Sequence, residues 1–266
     1  MPSRFIWHEL FSTNLHASES FYGELFNYKF EQQVNGSILF SNEDGPQGTI
    51  TPIKVDLGIP SHWIGYITVR DISRTIRKVE SLGGKFVFPP ENPHNESTVV
   101  VFTGPEGAPL KAIQGDGTKK KQSLTHGAIA WNELLCSNPM FSYGFLHALT
   151  DWDRESVPMW PSNMYHLCKE GDVSVAGIQT LSTELVASAH WISYFLCDDL
   201  EASSRKVEEL GGSLVTKIME MPTLGHYCVA LDNMGAVFAM LSRPDKRANT
   251  KLAFAKKQLL DLLDKL

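Results

Sequence analysis

The chain has 266 residues, which is too long for one small domain, and a mild formal net charge of −6 at pH 7. Its hydrophobic content of 42% is that of a globular protein with a buried core, so extensive disorder is excluded. The acidic balance argues against a nucleic-acid partner, and no apolar run approaches the length of a membrane span. The four cysteines lack CxxC spacing, which predicts buried, reduced thiols in a cytoplasmic protein, with a zinc site or disulfides as alternatives.

Each quarter of the chain opens with a strand-like segment that continues into a helix. The first strand is predicted from Phe5 to Phe11, Asn14 is a candidate N-cap, and apolar residues from Ala17 to Phe26 follow helical spacing. The second quarter repeats this order, with a strand from Ile64 to Val69 and Asp71 as the cap. Shorter strand-like runs follow each helix, so each quarter reads βαβββ.

Short phrases of the first half return in the second half. The tetrapeptide that starts at Trp7 (WHEL) returns as WNEL from Trp131, and the HWI phrase from His62 returns from His190. Both second helices end in Leu-Gly-Gly, where glycine accepts the left-handed conformation that follows a helix. A fixed internal repeat reveals architecture, and here it predicts one half-chain that has been duplicated.

The repeat predicts an α+β fold of four βαβββ units arranged as two modules. We place the first module at residues 1–115, a linker at 116–123 and the second module at 124–243. Leucines at helical spacing in residues 244–266 predict a C-terminal amphipathic helix. That helix is expected to dock on its own chain, with a dimer contact as the alternative, so the protein is a monomer or a homodimer.

Four βαβββ units in two tandem pairs, opened by a Trp-His-Glu-Leu strand, resemble the vicinal oxygen chelate superfamily. That superfamily includes glyoxalase I, bleomycin-resistance proteins and extradiol dioxygenases, and this chain is most similar to its tandem glyoxalase-like members. The resemblance implies that two units pack into a cupped sheet around a cavity. It also implies that metal enzymes of the group hold a divalent ion in that cavity.

The resemblance places metal ligands seven residues before each helix cap and four residues after the turn glycine of each final hairpin. Counting to these positions reaches only residues that do not ligate metals, namely Trp7, Ile64, Trp131, Ile192, Lys111 and Ala239. We therefore expect no metal and no other cofactor. A one-residue shift in strand register would instead place His8 in the ligand row, which leaves an atypical metal site as an alternative.

Strand alternation from Trp7 places Glu9 and Phe11 on the predicted cavity face. In the other three units the position of Glu9 is taken by Tyr66, Glu133 and Tyr194. The predicted ligand-binding residues are therefore Glu9, Phe11, Tyr66, Glu133 and Tyr194, together with Trp160 in a loop-like segment from Ser156 to Pro161 that would form a lid. A carboxylate beside a phenol suits a ligand with a hydrogen-bond donor or a positive charge. The alternative is that both glutamates are structural.

These features predict a metal-free protein that binds a small aromatic or heterocyclic molecule, as the resemblance to bleomycin-resistance proteins implies. A metal-dependent lyase, isomerase or dioxygenase with an atypical ligand set is one alternative. A non-catalytic scaffold with closed cavities is another. Whether the chain is an enzyme stays open, because a shared fold does not fix function.

Overall fold

The computed structural model describes residues 2–53, 58–88, 98–117, 125–159, 163–181, 188–221 and 225–242. Within these ranges the chain is an α+β protein with four helices and two mixed β-sheets. Trp160, most of the predicted linker and the predicted C-terminal helix lie outside the described residues. The module boundaries therefore stay predictions.

The first sheet contains the strands of the first two βαβββ units. In chain order its strands and helices are β1 (Phe5–Ser12), α1 (Leu15–Phe26), β2 (Lys29–Gln32), β3 (Ile38–Asn42), β4 (Gly45–Pro52), β5 (His62–Val69), α2 (Ile72–Ser81), β6 (Lys85–Phe86), β7 (Val99–Thr103) and β8 (Pro109–Gln114). The strand order is β2-β3-β4-β1-β5-β8-β7-β6. Consecutive units therefore share one sheet, with β1 and β5 antiparallel at its centre.

The second sheet repeats this plan with the last two units. Its strands and helices are β9 (Ile129–Cys136), α3 (Pro139–Thr150), β10 (Asp153–Met159), β11 (Asn163–Glu170), β12 (Val173–Thr180), β13 (His190–Cys197), α4 (Leu200–Glu209), β14 (Ser213–Leu214), β15 (Met219–Met221), β16 (Gly225–Leu231) and β17 (Val237–Ser242). The strand order is β10-β11-β12-β9-β13-β17-β16-β14, and β15 pairs with β16. The predicted duplication is confirmed.

The first two helices begin after the caps that the sequence predicts, and the last two begin in the same way. The side chains of Asn14, Asp71, Asn138 and Asp199 each accept a hydrogen bond from the backbone N–H three residues later. These caps satisfy backbone donors that lack an intrahelical partner. The first glycine after α2 and after α4 has a positive φ angle, and a Cβ on the second would clash with a neighbouring backbone carbonyl, which explains the Gly-Gly pairs.

The prediction of a loop from Ser156 to Pro161 is wrong for its described part. Most of that segment belongs to β10, which pairs with β11 through registers such as Val157 opposite Tyr165. Pro158 lies inside this strand, although proline is rare inside a sheet. β10 lies at the edge of its sheet, where a strand tolerates the missing backbone donor.

The two sheets pack against each other through a shared core. One buried cluster joins the second unit to the third, with Ile67 and Phe102 against Phe145 and Trp152. A second cluster joins the first unit to the fourth in the same way. The four cysteines are buried in strands and form no disulfide, as predicted. No helix in the described part of the chain is long and apolar enough to cross a membrane.

Candidate functional site

The candidate site on the first sheet, called the first cup after the shape that the resemblance implies, is the face of β1 that carries Glu9. Trp7 and Phe11 share this face because alternate residues of a strand point the same way. The register places Trp7 opposite Tyr66 on β5, and Tyr66 beside Lys111 on β8. Two units thus contribute side chains to one site.

Glu9 is bound by three donors. Its Oε2 accepts a hydrogen bond from the Tyr66 hydroxyl at 2.6 Å and contacts the Lys111 ammonium, while its Oε1 accepts the Thr51 hydroxyl. Glu9 is only 7% exposed and Lys111 only 8% exposed. A buried charge without a partner is costly, so the two charges are retained as a pair.

Lys111 also contacts the aromatic walls of the first cup. Its Nζ lies 3.0 Å from the Tyr66 hydroxyl oxygen, and 4.6 Å and 4.8 Å from the ring centres of Phe11 and Tyr66. These are cation–π distances. Burial and the neighbouring Glu9 carboxylate raise the pKa of Tyr66, so this phenol stays protonated and donates to Glu9.

Sequence reasoning reached Lys111 only as a position that is not a metal ligand, and did not assign it a role. The available signal was a lysine in the middle of the apolar strand Pro109–Gln114. A charged residue at a buried strand position requires a partner. The only carboxylate predicted for this face was Glu9, so the sequence pattern could have predicted the Glu9–Lys111 pair.

A divalent ion does not fit the residues of the first cup. A charged lysine has three donors and no acceptor, so Lys111 cannot serve as the carboxylate ligand of metal-binding relatives. Among the described residues, no group of three or more His, Cys, Asp or Glu side chains is placed to hold a metal.

The alternative register with His8 in the ligand row is wrong. The His8 Nε2 lies 2.8 Å from the Asn132 Oδ1 of the second module, on the sheet face opposite Glu9. Freedom from metal stays a prediction for this protein.

The cup of the second sheet, called the second cup, has a related pair in a more closed setting. The Tyr194 hydroxyl donates to Glu133 Oε2 at 2.7 Å. Glu133 is 3% exposed and Tyr194 is 1% exposed. Ala239 lies beside Tyr194 where the first cup has Lys111, so the second carboxylate has no cation at this position.

Tyrosines fill the second cup. The Tyr165 hydroxyl accepts a hydrogen bond from the Trp131 indole at 2.9 Å and lies where a Cβ on Gly177 would approach within 1.8 Å. The equivalent position in the first sheet is Thr49, so only the second sheet leaves room for this phenol. The Tyr227 ring lies 6.0 Å from Tyr194. The two cups have therefore diverged since the duplication.

Burial raises the pKa of the Glu133 carboxyl above its usual range, although hydrogen bonds from Tyr194 and Tyr165 act in the opposite direction. Its Oε1 has no hydrogen-bond partner among the described residues. Burial also raises the pKa of both tyrosines, which keeps them protonated as donors. The second cup therefore stabilises the protonated form of this carboxyl more than water does.

We expect Glu133→Gln to remove a pH dependence of stability. Because the folded-state pKa is raised, the folded protein holds a proton that the unfolded chain has already released. Wild-type stability should therefore fall as pH rises above the unfolded pKa, until the folded pKa is passed. Urea unfolding from about pH 5 to about pH 8 should show a flatter profile for the variant.

The matched control for this change is Glu209→Gln, at an exposed position of α4. It should follow the wild-type pH profile. Equal profiles for wild type and Glu133→Gln would show that the Glu133 carboxyl does not titrate abnormally.

The predicted site residues thus separate into two groups. Glu9, Phe11 and Tyr66 meet in the first cup, and Glu133 and Tyr194 meet in the second, one pair in each module. Their role in ligand binding stays a prediction.

Residues 4–111 match the Glyoxalase/Bleomycin resistance protein/Dioxygenase superfamily. The Mycobacterium tuberculosis protein CFP32, which has a provisional glyoxylase name, is 26% identical over 249 residues, with 88% of this chain and 93% of the relative covered. The anthracycline biosynthesis protein DauV from a Streptomyces species is 26% identical over 266 residues, with 90% and 93% covered. Both alignments span the two modules.

Solved structures show the same fold. The 2,3-dioxygenase LapB from Pseudomonas sp. KL28 has a TM-score of 0.61 at 13% identity, with 91% of this chain and 92% of that chain covered. The Mn(II)-bound glyoxalase from Novosphingobium aromaticivorans has a TM-score of 0.60 at 11% identity, with 91% and 84% covered. Residues 4–111 thus match the glyoxalase/bleomycin resistance/dioxygenase superfamily, and the chain as a whole has the fold of the solved dioxygenase and glyoxalase structures.

Proposed function

We propose that this protein binds a small aromatic molecule in the first cup, without a metal ion. The observation that carries the proposal is the Lys111–Glu9 pair at the position where the superfamily resemblance calls for a metal ligand. The walls of this cup include Trp7, Phe11 and Tyr66, which are only half-buried and can offer ring faces to a ligand. An apolar cup with a few fixed polar groups is the usual form of a small-molecule site.

The second cup is proposed to be a scaffold. Its carboxylate is held among Tyr165, Tyr194 and Tyr227, whereas the position of Tyr227 is taken in the first sheet by the exposed Val99. The closed-cavity alternative thus applies to one module and ligand binding to the other. Division of roles between duplicated halves explains why the tyrosine of the pair is half-buried in the first cup and fully buried in the second.

The relatives support an aromatic ligand. Proteins named for anthracycline biosynthesis match most of this chain, and anthracyclines contain planar fused rings. The Mn(II)-bound glyoxalase represents the metal-dependent alternative. The donor set of the first cup disfavours that alternative, because a lysine lies at the position of the expected ligand.

The test is a thermal-shift screen of aromatic and heterocyclic compounds in the presence of EDTA, together with metal analysis of the purified protein. A ligand that binds the folded state raises Tm by mass action. We expect at least one planar aromatic compound to raise Tm with no stoichiometric metal present. A tightly held metal that resists EDTA, or no shift with any compound, would contradict the proposal.

Two variants locate the site. Phe11→Leu gives the first cup the residue that the second module has at the equivalent position, Leu135. It should weaken binding about fivefold, because one ring face is lost. Tyr227→Phe in the second cup keeps the ring and should leave affinity unchanged. The reverse pattern would assign the ligand to the second module.

A further inference from the structure

We propose that the Lys111 ammonium replaces the divalent cation of metal-binding relatives and binds an ionised oxygen of the ligand. The ligand class is then a planar ring that carries an enolate, phenolate or carboxylate oxygen. This inference rests on the proposed function, since it names the chemistry of the ligand in the first cup.

The hydrogen-bond arrangement leaves Lys111 with a donor to offer. An ammonium carries three hydrogens. One is directed to Glu9 Oε2 and one to the Tyr66 hydroxyl oxygen at 3.0 Å. The Tyr66 hydroxyl uses its own hydrogen for Glu9, so it cannot donate to a ligand at the same time. The third ammonium hydrogen is therefore the strongest donor that the cluster can present.

Glu9 is already occupied as an acceptor. The neutral hydroxyls of Thr51 and Tyr66 share its charge, so Lys111 is one of three donors to this carboxylate. The pair is net neutral, and the third ammonium hydrogen is the point where an ionised oxygen can bind. Hydrogen bonds with a charged partner are roughly twice as strong as those between neutral groups, and they favour an ionised oxygen over an ether or alcohol.

The ring contacts restrict where Lys111 can go. Its Nζ lies over the Phe11 ring and beside the hydroxyl end of Tyr66, and its residue is 8% exposed. A lysine confined in this way acts as a fixed positive charge in a partly dry cup, where charge–charge attraction is stronger than in water. A planar anion would meet both the charge and an aromatic wall.

The expected charge of the ligand is the opposite of the one that the glutamates alone suggested. A carboxylate beside a phenol suggested a ligand with a donor or a positive charge. In the first cup Lys111 itself supplies that positive charge. The second cup has no such cation beside Tyr194, where Ala239 lies, so the anion preference is specific to the first module.

The experiment compares two probes with the same rings. 2-Hydroxy-1,4-naphthoquinone is ionised at neutral pH, whereas its 2-methoxy ether carries no charge. Affinities for the full-length protein would be measured by calorimetry with EDTA present. Wild type should bind the ionised probe at least about tenfold more tightly than the ether, as expected for one charge-assisted hydrogen bond.

Variants assign the preference to Lys111. Lys111→Arg keeps the positive charge and should keep the preference. The double variant Glu9→Gln/Lys111→Met removes both charges and should bind the two probes with similar affinity. Because the double variant has no unpaired charge in the cup, it is the better test if Lys111→Met alone does not fold.

The outcomes are distinguishable. Equal affinity of wild type for the two probes, or binding of uncharged aromatics alone, would overturn the inference and leave the proposed function standing. A preference that survives in the double variant would also overturn it. Failure of every aromatic compound to bind would reject both proposals.

Discussion

Lys111→Met is expected to destabilise the folded protein by about 3–5 kcal/mol, the cost of leaving a buried ion-pair partner alone. The methionine matches the length of the lysine but cannot donate to Glu9, which keeps only Thr51 and Tyr66 as partners. Urea unfolding measures the loss.

A double-mutant cycle separates the ion pair from simple packing. Glu9→Gln alone leaves the ammonium without its carboxylate and should also be strongly destabilising. The combination Glu9→Gln/Lys111→Met should lose far less stability than the two single changes together. Additive effects would mean that the two residues do not interact, and the assignment of Lys111 as a paired cation would fail.

The fold was predictable because several independent features of the sequence indicate the same secondary structure. Strand alternation, N-caps such as Asn14 and Asp71, and the glycines after the second helices all point to βαβββ units. Which units share one sheet is decided by long-range contacts between β1 and β5, for which a repeat carries no direct signal.

The candidate site was predictable in part. Alternation placed Glu9, Phe11 and Tyr66 on one face, and the structure brings them together. The contact between Glu9 and Lys111 joins residues from two different units, separated by β5 in the sheet. Such a contact depends on sheet curvature and side-chain length, which periodicity does not encode.

The repeat alone did not predict that the two Glu/Tyr pairs have different surroundings. Matched Glu/Tyr pairs suggested two similar sites, yet two small residues of the second module make the sites different. Gly177 makes room for Tyr165, and Ala239 removes the cation. A duplicated module that is relieved of ligand binding can fill its cavity with side chains, which improves packing.

Tyr22→Phe is expected to lower the free energy of unfolding by about 2–4 kcal/mol, because it leaves two buried polar groups without their partner. The Tyr22 hydroxyl of the first module donates to Asp232 Oδ2 of the second module at 3.0 Å and accepts the Trp63 indole N–H at 3.0 Å. All three residues are buried. Urea unfolding of the variant measures the loss.

The matched control is Tyr143→Phe, since this half-buried phenol donates to a backbone carbonyl at 3.2 Å and its loss should cost no more than about 1 kcal/mol. Burial raises the pKa of the Asp232 carboxyl, and the hydrogen bond from Tyr22 is among the contacts that oppose this rise. Without that bond the carboxylate is less favoured, so the deficit of Tyr22→Phe should grow as pH rises. Equal losses for the two phenylalanine variants at every pH would show that Tyr22 acts only by packing. The buried hydrogen bonds would then contribute nothing to the contact between modules, and the shared hydrophobic clusters alone would hold the two sheets together.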